Sequence, residues 1–216
     1  ADFDIAAPFA TSEPTDSELN GRRPSSSQRS VYSPPAMPPP TSSQSPIDPS
    51  SPDARTVETV MERVRRSERA LASVRSAADT IASAAEAIAR RLARGGTVYT
   101  AGNGGSAAEA LHFAEELVGR YRSNRPPQRA VCLAADPTGL TGSANDFAVV
   151  EVVARPWEAV LTPADVLVVF STSGKSPNLL AALAVARRKG ALVFGLLGGD
   201  GGPALGQCDL AVLVAG

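Results

Sequence analysis

Two short loops and one helical pair carry the groups that could do chemistry in this chain of 216 residues. The first loop, Ala101-Gly102-Asn103-Gly104-Gly105-Ser106-Ala107, follows an apolar run and opens a helical pattern. Its glycines let the backbone turn tightly and bring N–H groups up to an anion. The helix start adds partial positive charge, and Ser106 can cap that helix or donate to a ligand. The second loop, Ser171-Thr172-Ser173-Gly174-Lys175-Ser176, puts four hydroxyls at another strand-to-helix junction. Either loop alone reads equally well as turn chemistry, because Gly, Ser, Thr and Asn fill turns for conformational reasons. Both on one sheet edge point to a ligand site, and their hydroxyl and glycine content suits a compact phosphate monoester.

The third feature is His112, the single histidine, with Glu116 four residues on. On a helix the two share a face about one turn apart, and Glu115 is expected to point elsewhere. A carboxylate beside a bound carbonyl compound can act as a general base, and the pair lies close enough downstream of Ser106 to sit beside a sugar whose phosphate is held there. His and Glu at this spacing also supply half of a divalent metal site. Taken alone, they read as a surface pair worth a few tenths of a kcal/mol.

Nucleotide chemistry fits less well. Gly102-x-Gly104-x-x-Ala107 follows the dinucleotide fingerprint, and Asp136 falls where a ribose partner would sit. That pattern is weak alone; it leaves a nicotinamide-dependent oxidoreductase as a third reading that titration with NAD would settle. Gly174-Lys175-Ser176 resembles the end of a P-loop, but the glycine required five residues earlier is Val169. No nucleotide cofactor is expected.

The elements that must position these groups are strand-like runs at Thr97–Ala101, Ala130–Ala134, Val166–Phe170, Leu192–Leu197 and Leu210–Val214. They are apolar on both faces, as buried parallel strands are. Helical patterns at about 106–119, 149–161 and 176–189 separate them, which predicts βαβ units in a doubly wound α/β sheet with ligands at the carboxyl ends of the strands. Upstream, Val57, Val60, Met61, Val64, Leu71, Val74, Ile81, Ala85, Ile88 and Leu92 recur with a helical period. The stretch is too long for one ordinary helix, so a break near Ser76 and a stop at Gly95-Gly96 are expected.

Composition narrows the class. The 21 basic and 22 acidic side chains leave a net charge of -1, which gives no electrostatic case for nucleic acid or anionic membrane as partner. Cys132 and Cys208 lie inside apolar runs rather than at disulfide-framework spacings, so a cytoplasmic setting is expected. No apolar run reaches a membrane span, and no signal segment opens the chain. Residues 1–52 hold 11 of the 18 prolines and 12 serines, so they read as a disordered tail that confers solubility or docks to an aromatic groove. Asp2, Asp4, Glu13, Asp16 and Glu18 argue against a transit peptide.

Gly102-Asn103-Gly104-Gly105-Ser106, His112-Phe113-Ala114-Glu115-Glu116-Leu117-x-Gly119-Arg120, Asn145-Asp146-Phe147 and Ser171-Thr172-Ser173-Gly174-x-Ser176-x-Asn178 closely resemble phosphoheptose isomerase, the sedoheptulose 7-phosphate isomerase family of SIS domains. The likeness runs from about Asp53 to Gly216, in order and at family spacing. It implies a flavodoxin-like five-stranded sheet preceded by a helical pair, in a homotetramer with active sites at subunit interfaces. It implies interconversion of sedoheptulose 7-phosphate and D-glycero-D-manno-heptose 7-phosphate, which feeds lipopolysaccharide or other glycan synthesis. By the same likeness Ser106, Ser171, Thr172, Ser173 and Ser176 hold the phosphate, with Gly104 and Gly105 in the first loop. Glu116 is the base, and Asn103, Arg120, Asn145 and Asp146 line the sugar. Some members bind zinc through the residues matching His112 and Glu116, plus a Gln and a His from a last helix.

That last helix, which also carries the second acid/base of the family, has no counterpart before Gly216. The expectation is a 53–216 SIS domain that binds heptose 7-phosphates, turns them over poorly unless the full protein continues past Gly216, and leaves an apolar stripe uncovered. Pro156 falls inside a predicted helix and should kink or end it, and Lys175 stands where the family usually has Asn. The rival reading is a noncatalytic SIS module that binds a sugar phosphate or a protein partner of the replication-initiator type, with binding that survives loss of Glu116.

Overall fold

The computed structural model describes residues 53–147 and 149–215. The proline- and serine-rich stretch expected to be a tail lies outside them. Asp53 caps helix α1 (Ala54–Ser76), its Oδ1 accepting from the Arg55 N–H at 3.3 Å. The helical pattern breaks at Ala77 and resumes as α2 (Ala78–Ala93), where the periodicity placed the interruption.

The chain then alternates between strands and helices. The strands are β1 (Val98–Ala101), β2 (Ala130–Cys132), β3 (Val166–Ser171), β4 (Leu192–Gly198) and β5 (Leu210–Val214). The helices are α3 (Gly105–Val118), α4 (Pro137–Asp146), α5 (Glu151–Val160), α6 (Pro177–Lys189) and the single turn α7 (Gly202–Leu205). All strand pairs are parallel, in the order β2-β1-β3-β4-β5. This is the expected five-stranded flavodoxin-like sheet.

Side chains alternate across each strand, so each strand feeds two cores. Val98, Val166, Val168, Phe194 and Val212 pack with Ala84 and Ile88 of α2 and with Phe113 and Leu117 of α3. Ala101, Leu167, Val169, Val193 and Leu197 pack with Val152, Val153 and Trp157 of α5 and with Leu179 and Leu183 of α6. Asp165, buried at the head of β3, ties the strands at their amino ends. Its Oδ1 accepts from the Thr97 N–H at 2.8 Å, and its Oδ2 accepts from the N–H and hydroxyl of Thr162 at 2.8 and 2.7 Å.

Three local expectations change. Helix α4 was not read from the sequence, because Thr-Gly-Leu-Thr-Gly-Ser shows no apolar period. Asp136 creates it: its Oδ1 accepts from the Thr138 and Gly139 N–H groups, both at 3.0 Å, and Pro137 takes the first helical position. Asp136 is therefore a helix cap rather than a ribose partner. Helix α5 does not end at Pro156 but runs on to Val160. The proline removes one N–H, yet Val152, Val153, Ala154 and Trp157 bury the face that holds the helix on the sheet.

Helix α1 buries no residue, and its stripe stays open, with Val60 56% and Leu71 71% exposed. Among the described residues no helix is long and apolar enough to cross a membrane.

The cysteines give a first test. Cys132 is buried, and burial together with nearby Asp209 pushes the Cys208 thiol up to about 11. A raised thiol pKa leaves almost no thiolate at pH 8. Ellman's reagent is expected to react with neither thiol of the folded protein within minutes, and with both after unfolding. A rapid stoichiometric reaction of the folded chain would contradict this packing.

Candidate active site

Both hydroxyl loops leave the carboxyl ends of adjacent strands. Strands β1 and β3 pair with Ala101 beside Val169, and the chain departs from them in opposite directions, to β2 on one side and β4 on the other. Such a switch point opens a crevice between the two loops. In the first loop Gly104 has φ +54° and serves as the α3 cap with no side-chain bond. Ser106, half-buried in the first turn of α3, therefore presents its hydroxyl at the start of a helix that no side chain caps.

The second loop is braced from within. Ser171 Oγ accepts from the Gly174 N–H at 3.0 Å, and Ser173 Oγ accepts from the Lys175 N–H at 3.3 Å. Their hydroxyl hydrogens stay available to an anion. Gly174 has φ +62°, and a Cβ there would run into the Gly201 carbonyl, so β3 and β4 loops meet at van der Waals distance only through glycine. Ser176 occupies the cap position of α6 without making a capping bond. The two loops are joined by a double amide pair: Asn103 Nδ2 donates to Asn178 Oδ1 at 3.0 Å, and Asn178 Nδ2 donates to Asn103 Oδ1 at 2.8 Å.

Two clefts flank this junction. The larger, about 610 Å³, brings Ser106 together with Ser171 and Thr172 under the turn after β4. The smaller, about 350 Å³, is mainly apolar and includes Asn103, Gly104 and Asn178 against α4 and α5. Gly105, Ser173 and Ser176 belong to the loops but line neither cleft. Arg120 donates to Asn124 Oδ1 at 2.7 Å and Asn145 to Asp146 Oδ1 at 2.8 Å; all three predicted sugar-lining residues here are exposed and lie outside both clefts.

His112 and Glu116 share a face as their spacing requires, with Nε2 and Oε1 3.2 Å apart and side chains 68% and 30% exposed. Glu115 does not point away. Its carboxylate joins the pair, and one ligand atom from each of the three residues falls within 4.8 Å of the others. Two donors 3.2 Å apart match the edge of a tetrahedron with metal bonds of about 2.0 Å, so the His112–Glu116 pair fits two corners of a zinc site. The backbone at this end of α3 is fixed by Arg125, whose guanidinium donates to the Glu116 carbonyl and, at 2.8 Å, to the Leu117 carbonyl. Arg125 follows the helix in sequence, and no motif singled it out.

Glu116 is ten residues beyond Ser106, so its Cα stands about 15 Å further along the helix axis, with its side chain leaning back toward the helix start. The sequence also gave no sign that α1 closes the larger cleft, which it does through Arg63, Arg66 and Ser67.

Residues 63–198 match the SIS domain family model. The phosphoheptose isomerase of Chlorobaculum parvum is 48% identical over 163 residues, covering 74% of this chain and 78% of that protein. That of Chlorobaculum tepidum is 45% identical over the same shares. Among solved structures, the phosphoheptose isomerase of Francisella tularensis superposes with a TM-score of 0.70 at 29% identity, over 74% of this chain and 85% of that one. The enzyme from Neisseria gonorrhoeae gives 0.66 at 31% identity, over 75% and 85%. With this sheet, these loops and these relatives, the chain belongs to the phosphoheptose isomerase family of SIS-domain sugar-phosphate isomerases.

Proposed function

We propose that this chain interconverts sedoheptulose 7-phosphate and D-glycero-D-manno-heptose 7-phosphate through an enediol, as a cytoplasmic step toward lipopolysaccharide or other glycan precursors. The observation that carries this reading is the meeting of Ser106, Ser171 and Thr172 in one cleft at the switch point. Hydroxyl donors from two loops, beside the starts of α3 and α6, suit the phosphoryl oxygens. Ser173 and Ser176 stand on the same loop for the remaining contacts.

Glu116 is the base. It takes a proton from C1 of the ketose, the C1–H electron pair becomes the C1=C2 bond, and the C2 oxygen gains the charge and then a proton. Return of a proton to C2, with loss of the O1 proton, gives the aldose. Asn103, held by Asn178, together with Arg120, Asn145 and Asp146, orients the sugar hydroxyls. Zinc, where bound, supplies Lewis-acid polarisation of an oxygen; His112 and Glu116 would hold it, leaving the second Glu116 oxygen free.

From phosphorus to C1 a heptose 7-phosphate spans roughly 10 Å, taking about 1.2 Å of advance per bond. The offset between Ser106 and Glu116 along α3 favours a base supplied by a second copy. A homotetramer with interfacial sites meets that need, and the open apolar stripe of α1 offers contact surface.

The test is direct. The purified chain is incubated with sedoheptulose 7-phosphate and followed by proton NMR, with binding measured by calorimetry on the same sample. Binding together with appearance of the aldose signal supports the reading. Binding without any proton exchange at C1 indicates a noncatalytic sugar-phosphate module, and no binding at millimolar ligand refutes both.

A further inference from the structure

The larger cleft has a wall that its family motifs do not describe. Arg63, Arg66, Ser67 and Ala70 of α1 line it opposite Ser106 and Thr172. Their spacing of three, four and seven puts them on one helix face. The placement is anchored where the strands end: the Ala215 N–H donates to Ser73 Oγ at 2.9 Å, which ties α1 to the end of β5.

Of the six arginines of α1, four near the cleft fall into two sets. Arg65 bonds Glu58 at 2.9 Å and Glu62 at 3.4 Å, and Arg69 bonds Glu62 at 3.1 Å. Those contacts hold the Glu62 carboxyl below its ordinary range, Arg69 contributing most. Arg63 and Arg66 make no ion pair among the described residues. Glu62 lies one turn before Arg66, but its oxygens are already taken by the other set. Arg65 and Arg69 thus engage Glu58 and Glu62, while Arg63 and Arg66 line the hydroxyl cleft without an ion pair of their own.

We propose that Arg63 and Arg66 are binding residues for the substrate phosphoryl group, and that they select for a dianionic phosphate ester over the neutral sugar. The proposal rests on the functional reading above. The serine and threonine hydroxyls and the helix starts fix the position of the phosphoryl oxygens but carry no full charge. Two guanidiniums match the two negative charges of a phosphate monoester near neutral pH, and a guanidinium presents its donors in a fork that fits paired phosphoryl oxygens.

The experiment measures the affinity of the full chain for inorganic phosphate and for sedoheptulose 7-phosphate by calorimetry at several salt concentrations. Replacing both residues, Arg63→Gln with Arg66→Gln, is expected to weaken both ligands by about 10- to 100-fold and to flatten the salt dependence. Arg63→Lys with Arg66→Lys keeps the charge and is expected to recover part of the loss. Arg65→Gln, on the internally paired set, is expected to bind as the parent does. Because α1 buries no residue, these variants should keep the parent's circular dichroism.

If the double Gln variant binds within twofold of the parent while Ser106→Ala weakens binding, the arginine assignment is wrong and the phosphate site stands. If the parent itself binds neither ligand, the assignment and the functional reading fall together. If Arg65→Gln weakens binding as much as the double variant, the effect is general helix charge and the assignment is overturned.

Discussion

Glu116→Gln is expected to leave sedoheptulose 7-phosphate binding within a factor of two and to slow deuterium uptake from solvent at C1 by about 10²- to 10⁴-fold, the usual range for loss of a general base. The amide keeps the size of the side chain and can still accept from His112, whose Nε2 lies 3.2 Å from the carboxylate in the parent. It cannot accept the proton. Deuterium uptake is the better readout than net turnover, because it requires only the base and a polarised carbonyl. Full uptake by the variant would remove Glu116 from the mechanism. The offset of about 15 Å between the two Cα positions adds a sharper form of the same test. If the base acts across an interface, mixing Glu116→Gln with Ser106→Ala chains should give, at low substrate, activity well above that of either homogeneous protein.

The second large effect falls on the phosphate grip. Ser106→Ala and Thr172→Val each remove a hydroxyl from the larger cleft, and a hydrogen bond to a charged group is worth about 1.5–3 kcal/mol, so each should raise the dissociation constant of the sugar phosphate by about 10- to 100-fold. The pair should be less than additive, because the two hydroxyls serve one ligand group. Unphosphorylated sedoheptulose is the control, and its weak binding should not respond. Equal losses for the phosphorylated and unphosphorylated sugars would mean that these hydroxyls contact the carbon chain, and that the phosphate sits elsewhere.

Much of the architecture was legible because it is written locally. The inner strands β1, β3 and β4 are covered on both faces and so are apolar at nearly every position, and their runs stand out for that reason. The break at Ala77 followed from the length of the periodic stretch, which exceeds an ordinary globular helix. The cap of α4 was also present in the sequence, as Asp136 before Pro137, but two glycines and the lack of an apolar period hide the helix that follows it. At Pro156, where a kink or an end was expected inside a helix at about 149–161, α5 does not end but runs to Val160, since burial of Trp157 and its neighbours outweighs one missing N–H.

The two loops and the His112–Glu116 pair were determined by the sequence alone, because turn geometry and helical spacing are short-range properties of the chain. Which of those groups share a cleft was decided only by the tertiary structure. Strand order brought Ser106 and Thr172 together from crossovers far apart in sequence, and left Ser173, Ser176 and Arg120 off the cleft wall. The same packing placed Arg63 and Arg66 of α1 on the wall of that cleft. Adjacency across a sheet depends on which strands pair, and strand pairing is a long-range choice that local spacing does not encode.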